Sequence, residues 1–261
     1  MKLSKFCSSI SFAGCGTLNF YQTGVAASLQ EYGIDETIGF AGASAGSGLS
    51  VLLAQGTDAK EIADVAINIL RRHKHRNILS NPAILLEFAD RFMEHFINES
   101  TVETIQNRVS LSITSLKPMG NLLVNQFSDK EDLCRAIRAS CHIPSPRIRS
   151  VPFRDRRCID GGFSNNQPML AIDTLSVSPF FFDLKADIRP SKKIPPWWAV
   201  IVPSEEKAWS FFELGKKDAR QYINTMVKNG NVPKPKKIGN ISPIPLDFIR
   251  KRAQEKSTIP G

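Results

Sequence analysis

The pentapeptide Gly42-Ala43-Ser44-Ala45-Gly46 constrains this chain more than any other feature in it. A serine framed by glycines is the pattern of a strand-to-helix turn too tight for a Cβ on either side, with the serine hydroxyl exposed at its apex. With Gly and Ser each near 7% of residues, the pattern arises by chance in roughly one chain of this size in fifteen, so its surroundings decide. Residues 37–41 read as a short strand before the serine, and the uncharged stretch after it reads as a helix ending at Gly56. A helix N-terminus beneath the hydroxyl would place N–H groups and partial positive charge where an oxyanion could form.

The rest of the chain repeats the alternation. Residues 6–12 read as a buried strand running into Gly14-Cys15-Gly16, with a helix from about residue 20 that stops at Gly33. A third helix begins at Thr57 or Asp58, and Asn81-Pro82 reads as a cap that opens a helix over 83–97. Strands are expected at 109–114 and 122–127, then a helix from 129 to about 141 behind the S-x-x-E cap Ser128-Asp129-Lys130-Glu131. Residues 157–159 form a strand into Asp160-Gly161-Gly162, and residues 175–177 are the last strand of the block. Strands alternating with helices predict an α/β domain with a mostly parallel sheet.

Two uncharged stretches, 6–30 and 37–57, are long enough to span a bilayer, but Gly, Ser, Asn and Gln interrupt them. Buried strand–turn–helix units explain them better, and the same polar residues break any signal-peptide core at the N-terminus. Five cysteines without a CxxC pair argue against a disulfide framework and a zinc ribbon, so a reducing compartment and no metal are expected.

A serine nucleophile needs a base. In α/β-hydrolases the base is a histidine late in the chain, yet His73, His75, His95 and His142 all precede Asp160. His73 and His75 sit in the basic run of residues 71–76, His95 on an amphipathic helix, and only His142 stands as a base candidate. The other candidate is Asp160. A carboxylate at a strand end, followed by Gly161 and Gly162, can approach a serine hydroxyl closely, although a D-G-G turn by itself has the same form. Gly14-Cys15-Gly16 offers converging N–H groups for an oxyanion or a phosphate. A dinucleotide fingerprint would need glycine where Asn19 stands, and no acidic residue follows at the required distance, so no cofactor is expected.

A glycine loop, a serine elbow and an aspartate turn in this order resemble the patatin-like phospholipase family. The resemblance rests on residues 10–16 (Ile-Ser-Phe-Ala-Gly-Cys-Gly), on Gly24-Val25-Ala26, on the 42–46 pentapeptide and on residues 160–168 (Asp-Gly-Gly-Phe-Ser-Asn-Asn-Gln-Pro). Residues 176–180 resemble the neutral-lipid branch of that family. The resemblance covers about residues 8–180 and implies a three-layer α/β sandwich with a Ser–Asp dyad. Ser44 would be the nucleophile, Asp160 the base, and amides of Gly14, Cys15 and Gly16 the oxyanion donors. Gly42, Gly46, Gly161 and Gly162 would shape the two turns. It implies a lipid acyl-ester hydrolase of triacylglycerol lipase or phospholipase A type. It also implies a protein co-activator as a further partner, and a cytoplasmic chain peripherally associated with membranes or lipid droplets. A lipid-binding scaffold without catalysis and a nucleotide-binding domain are the alternatives. Asn19 departs from the family's glycine loop.

The net charge of +9 is unevenly placed. Residues 1–178 hold 18 Lys/Arg against 17 Asp/Glu, and residues 179–261 hold 16 against 8. A catalytic domain over 1–180 and a basic extension over 181–261 are expected. Within the extension, residues 197–202 read as a strand, residues 204–228 as a long helix ending at Gly230, and residues 233–237 as a linker. The helix carries Trp209, Phe211 and Phe212, which either pack on the domain or meet an anionic membrane or droplet surface. No zinc-finger or RNP-like pattern accompanies the charge, so no nucleic-acid partner is expected.

Overall fold

A computed structural model describes residues 3–34, 36–81, 83–146 and 148–229. The Pro82 helix opening, the stop at Gly230 and the 233–237 linker lie outside the described residues. The first unit is β1 (Ser9–Phe12), α1 (Asn19–Glu31), β2 (Gly39–Ala43) and α2 (Ala45–Ala54). Helix α3 (Ala59–Leu70) starts at the Asp58 cap, whose side chain accepts from the amides of Lys60 and Glu61. Helices α4 (Ala83–Phe96) and α5 (Glu99–Ile105) lead to the hairpin β3 (Val109–Leu116) and β4 (Met119–Val124). Next come α6 (Lys130–Ser140), β5 (Val151–Phe153), β6 (Arg156–Asp160), β7 (Leu175–Val177) and α7 (Glu205–Asn229).

The described strands form one sheet in the order β5-β6-β3-β2-β1-β7, with β4 on the far edge of β3. The pairs β7–β1, β1–β2 and β2–β3 are parallel, whereas β4 and β6 run antiparallel to β3. The fold is therefore mixed α/β with a mostly parallel central sheet. The register of β3 locates the functional site. Strand β4 covers one edge of β3 from Leu111 to Leu116, so β2 and β6 must share the other. There β2 ends with Ala43 opposite Ser112, and β6, arriving from the opposite direction, ends with Asp160 opposite Ile113. The two strand ends meet head-on, and the residues just past them are brought together.

Helix α7 lies against α1 at unusually close range. A Cβ on Gly24 would fall 1.9 Å from the Phe212 carbonyl oxygen, and one on Gly215 would fall 2.0 Å from that of Tyr21. Ala208, Phe211, Phe212, Ala219 and Ile223 are buried. Asp218, also buried, accepts from the Tyr21 hydroxyl at 3.1 Å and from the Ser191 amide at 2.9 Å. Phe211 and Phe212 therefore pack on the domain and are unavailable to an external surface.

Two local expectations are corrected. The cap of α6 is Asp129, accepting from the Asp132 amide at 2.7 Å, one residue after the serine of the S-x-x-E pattern. Residues 197–202 are not a regular strand. Pro195 and Pro196 set a 3₁₀ turn over Pro196–Ala199, and only the bonds between residues 75–78 and 200–202 make a short strand-like contact. Helix α5 and strand β5, of seven and three residues, are too short to leave a periodic signal and add to the expected elements.

Candidate active site

Ser44 sits between β2 and α2 with φ 52° and ψ −129°, a left-handed conformation that costs a non-glycine residue roughly 1–3 kcal/mol. The glycines beside it are required by close approach. A Cβ on Gly42 would lie 2.2 Å from the Gly46 carbonyl oxygen, and one on Gly46 would lie 2.4 Å from that of Phe12. The strained turn thus packs directly on the end of β1. It holds the hydroxyl clear of α2, whose N-terminal dipole points at it.

The Ser44 hydroxyl lies close enough to the Asp160 carboxylate to favour its charged form, an approach prepared by the meeting of β2 and β6 on β3. Asp160 also accepts from the Gly162 amide at 2.8 Å, so the D-G-G turn closes on its own carboxylate. Burial dominates its ionisation. It pushes the carboxyl up to about 6, against the downward pull of the nearby Ser44 hydroxyl and of the Gly162 amide. A carboxylate poised there is a competent general base near neutral pH.

Polar residues on the sheet hold the pair in place. The Ser140 hydroxyl accepts from the Ser44 amide at 3.0 Å and donates to the Ser112 carbonyl at 2.7 Å, tying the elbow to α6 and β3. The Thr114 hydroxyl donates to the Asp160 carbonyl at 2.7 Å, and the Ser112 hydroxyl donates to that of Asn165 at 2.8 Å. The Gln167 amide donates to the Ser11 carbonyl at 2.8 Å, anchoring the far end of the aspartate loop on β1. Ser112, Thr114 and Ser140 belong to no local motif and escape a reading of the sequence. Ser110, Ser112 and Thr114 do leave one signal: polar side chains at every second position of a strand buried along nearly its whole length.

The glycine loop lies against this pair. A Cβ on Gly14 would be 3.1 Å from the Ser44 Cβ. The Gly14 amide donates to the Asn166 carbonyl at 3.1 Å, so of the three expected oxyanion donors it is already engaged. Among the described residues no such partner is shown for the amides of Cys15 and Gly16. The Cys15 thiol is held well above its usual range, first by burial and then by the charge of Asp160. It stays protonated and unreactive.

The histidines stand apart from the pair. The buried His142 ring lies with Nε2 3.2 Å from the Ile148 carbonyl oxygen, and burial lowers its pKa. Its link to the site among the described residues is its backbone carbonyl, which accepts from the Asp160 amide at 2.8 Å. His73 pairs with Glu87 at 3.4 Å, and His75 and His95 are exposed. Among the described residues no cluster of His, Cys, Asp and Glu could hold a metal ion.

Ser44 opens onto a cleft whose walls come from α1, α2, α3 and α4. Leu52, Ile62, Phe88, Phe92, Met93 and Ile137 make its surface apolar. The polar residues of the lining include Ser44 and, from the end of the glycine loop and the first turns of α1, Thr17, Asn19 and Thr23.

Residues 10–173 match the patatin-like phospholipase family. The chain is 32% identical over 193 residues to human patatin-like phospholipase domain-containing protein 4, covering 71% of this chain and 76% of that relative. It is also 32% identical over 192 residues to the mouse 1-acylglycerol-3-phosphate O-acyltransferase Pnpla3, but spans only 46% of that protein's length. The crystal structure of VipD from Legionella pneumophila superposes with a TM-score of 0.52 at 13% identity, covering 84% of this chain and 67% of VipD, a likeness of fold alone.

Proposed function

The chain belongs to the patatin-like phospholipase family, and on that premise we propose that it is a lipid acyl-ester hydrolase working through a Ser44–Asp160 dyad. The observation that carries the reading is the convergence of the strained Ser44 elbow and the buried Asp160 carboxylate where β2 and β6 meet on β3, with Ser44 lining an apolar cleft. In the forward step Ser44 Oγ attacks the ester carbonyl carbon while Asp160 takes the hydroxyl proton. The amides of Cys15 and Gly16 hold the oxygen as negative charge develops on it. Collapse breaks the bond to the alcohol, which leaves with the proton from Asp160, and the acyl group stays on Ser44. Water then attacks the acyl carbon, Asp160 again accepts the proton, and the fatty acid departs.

A second reading replaces that water with an alcohol, so that the acyl group is transferred rather than hydrolysed. The apolar wall of the cleft, which disfavours water beside the acyl-enzyme, and the acyltransferase name of one relative favour it. Both readings use the same two residues.

The dyad is tested by the pH profile of kcat/KM on a short-chain ester. One acidic limb near pH 6, set by Asp160, is expected, with a plateau above it. His142→Gln should keep both the limb and kcat within a few-fold. Loss of the limb in that variant, or an activity collapse of about 10²–10⁴-fold, would make the histidine the base.

A lipid substrate calls for contact with a lipid surface, and the exposed cations of this chain suit an anionic one. Among the described residues no helix is long and apolar enough to cross a membrane. Phe211 and Phe212 are buried, so this reading assigns the contact to the exposed edge where residues 75–78 bond to 200–202, the place where exposed apolar and basic side chains stand together. Leu79 and Trp197 are 56% and 57% exposed there, beside the exposed Arg72, Lys74 and Arg76. Each such cation contributes about 1 kcal/mol near an anionic membrane at low salt. Changing these three to Gln in the Ser44→Ala chain should weaken binding to anionic vesicles at least about tenfold, with neutral vesicles unaffected. Unchanged co-sedimentation with anionic vesicles would remove this surface from the account.

A further inference from the structure

Asn19 is the first residue of α1 and stands where the family's loop usually has glycine. Its side-chain Oδ1 is buried and has no hydrogen-bond partner among the described residues. The hydroxyls that line the cleft with Asn19 are all committed. Thr17 donates to the carbonyls of Trp198 and Ile201, Thr23 donates to the Asn19 backbone carbonyl at 2.9 Å, and the Ser44 hydroxyl is turned to Asp160. A buried polar atom without a partner is costly, and native proteins leave few of them. The residue that carries this one, Asn19, lines the cleft onto which Ser44 opens.

We propose that Asn19 is a specificity-determining residue that hydrogen-bonds a free hydroxyl on the alcohol part of the substrate, so that the site prefers a partial acylglycerol over a fully esterified lipid. The inference deepens the acyl-ester reading and rests on it. Asn19 and Ser44 line the same cleft, and Leu52, Phe88, Phe92 and Met93 supply its apolar wall, so in this proposal the acyl chain takes the apolar part and the alcohol part lies by Asn19. A hydroxyl fits better than a carbonyl or an amine. It both donates and accepts, and so satisfies the amide whichever of its two ends is turned to it. A triester has no donor to offer and leaves the amide orphaned when bound. A site built around a hydrogen bond rejects the analogue lacking the partner group more strongly than a purely apolar pocket rejects an added group.

The test uses ligands that cannot be hydrolysed, so its outcome does not depend on the dyad. Affinities of 1-O-octylglycerol and octyl methyl ether are measured by calorimetry for the full chain and for Asn19→Leu. Comparing the ratio of the two affinities between the two proteins removes the different hydration of the ligands. The expected result is a fall of about tenfold in the native preference for the glyceryl ether, carried by weaker binding of that ligand alone. Asn19→Gly, which deletes the side chain, should move the ratio the same way and covers the case in which the leucine variant misfolds. An unchanged ratio in both variants, or a native chain that binds neither ether, would overturn the proposal. Failure of the dyad would show separately, as esterase activity that persists without Ser44.

Discussion

Ser44→Ala should lower ester turnover by about 10⁴–10⁶-fold, and Asp160→Asn by about 10²–10⁴-fold, both without loss of fold. The asymmetry follows from the roles. Without Ser44 Oγ no acyl-enzyme can form. Without the Asp160 carboxylate the hydroxyl remains in place but its proton has no acceptor, because the His142 ring is turned to Ile148. Residues that act as one unit do not contribute additively, so the double variant should be no slower than Ser44→Ala alone. The check is kcat on a micellar ester, with circular dichroism showing that the variants are folded. Asp160→Asn turning over within a few-fold of the native rate would refute the assignment of the base.

The same aspartate should make the native chain less stable than its inactive variant. Asp160 has its pKa raised from an ordinary 3.8 to about 6 by burial, so the fold favours the neutral acid. The stability associated with that neutral form is complete below about pH 4 and is lost as the pH rises through about 6. Moving a carboxyl that far corresponds to about 3 kcal/mol. The side-chain amide introduced by Asp160→Asn carries no charge, yet it can still accept from Gly162 and remain in contact with Ser44. The expected result is a small difference in urea unfolding free energy near pH 4. It should widen to about 3 kcal/mol in favour of Asp160→Asn above pH 7. An advantage that stayed constant with pH would mean that the buried charge is not its source.

How much of this was legible in the sequence depends on how far apart the interacting residues lie. The elbow could be read because Gly42, Ser44 and Gly46 report one local backbone shape. Asp160 could be nominated by its glycines and its place after a strand, but its approach to Ser44 depends on the register of β2 and β6 on β3. Nothing in a linear pattern states that register. The supports were hidden for a related reason. Ser140, Thr114 and Gln167 act through backbone carbonyls or amides of distant segments, and a backbone partner leaves no residue type to recognise. The Gly14 amide was expected at the oxyanion, whereas it is engaged by the Asn166 carbonyl. Helix α7 shows the same limit: Gly215 is the point where α7 crosses α1, paired with Gly24, and only the partner helix gives that glycine its meaning. That crossing turns Phe211 and Phe212 inward, which their spacing alone left open.

The central claim is that Asp160 activates Ser44, and the most direct measurement is the reaction of the native chain with a fluorophosphonate followed by peptide mapping across pH. The account predicts one adduct, on Ser44, forming at a rate that rises through a limb near pH 6 and is lost in Asp160→Asn. No adduct on Ser44, or one that forms equally fast in Asp160→Asn, would contradict it.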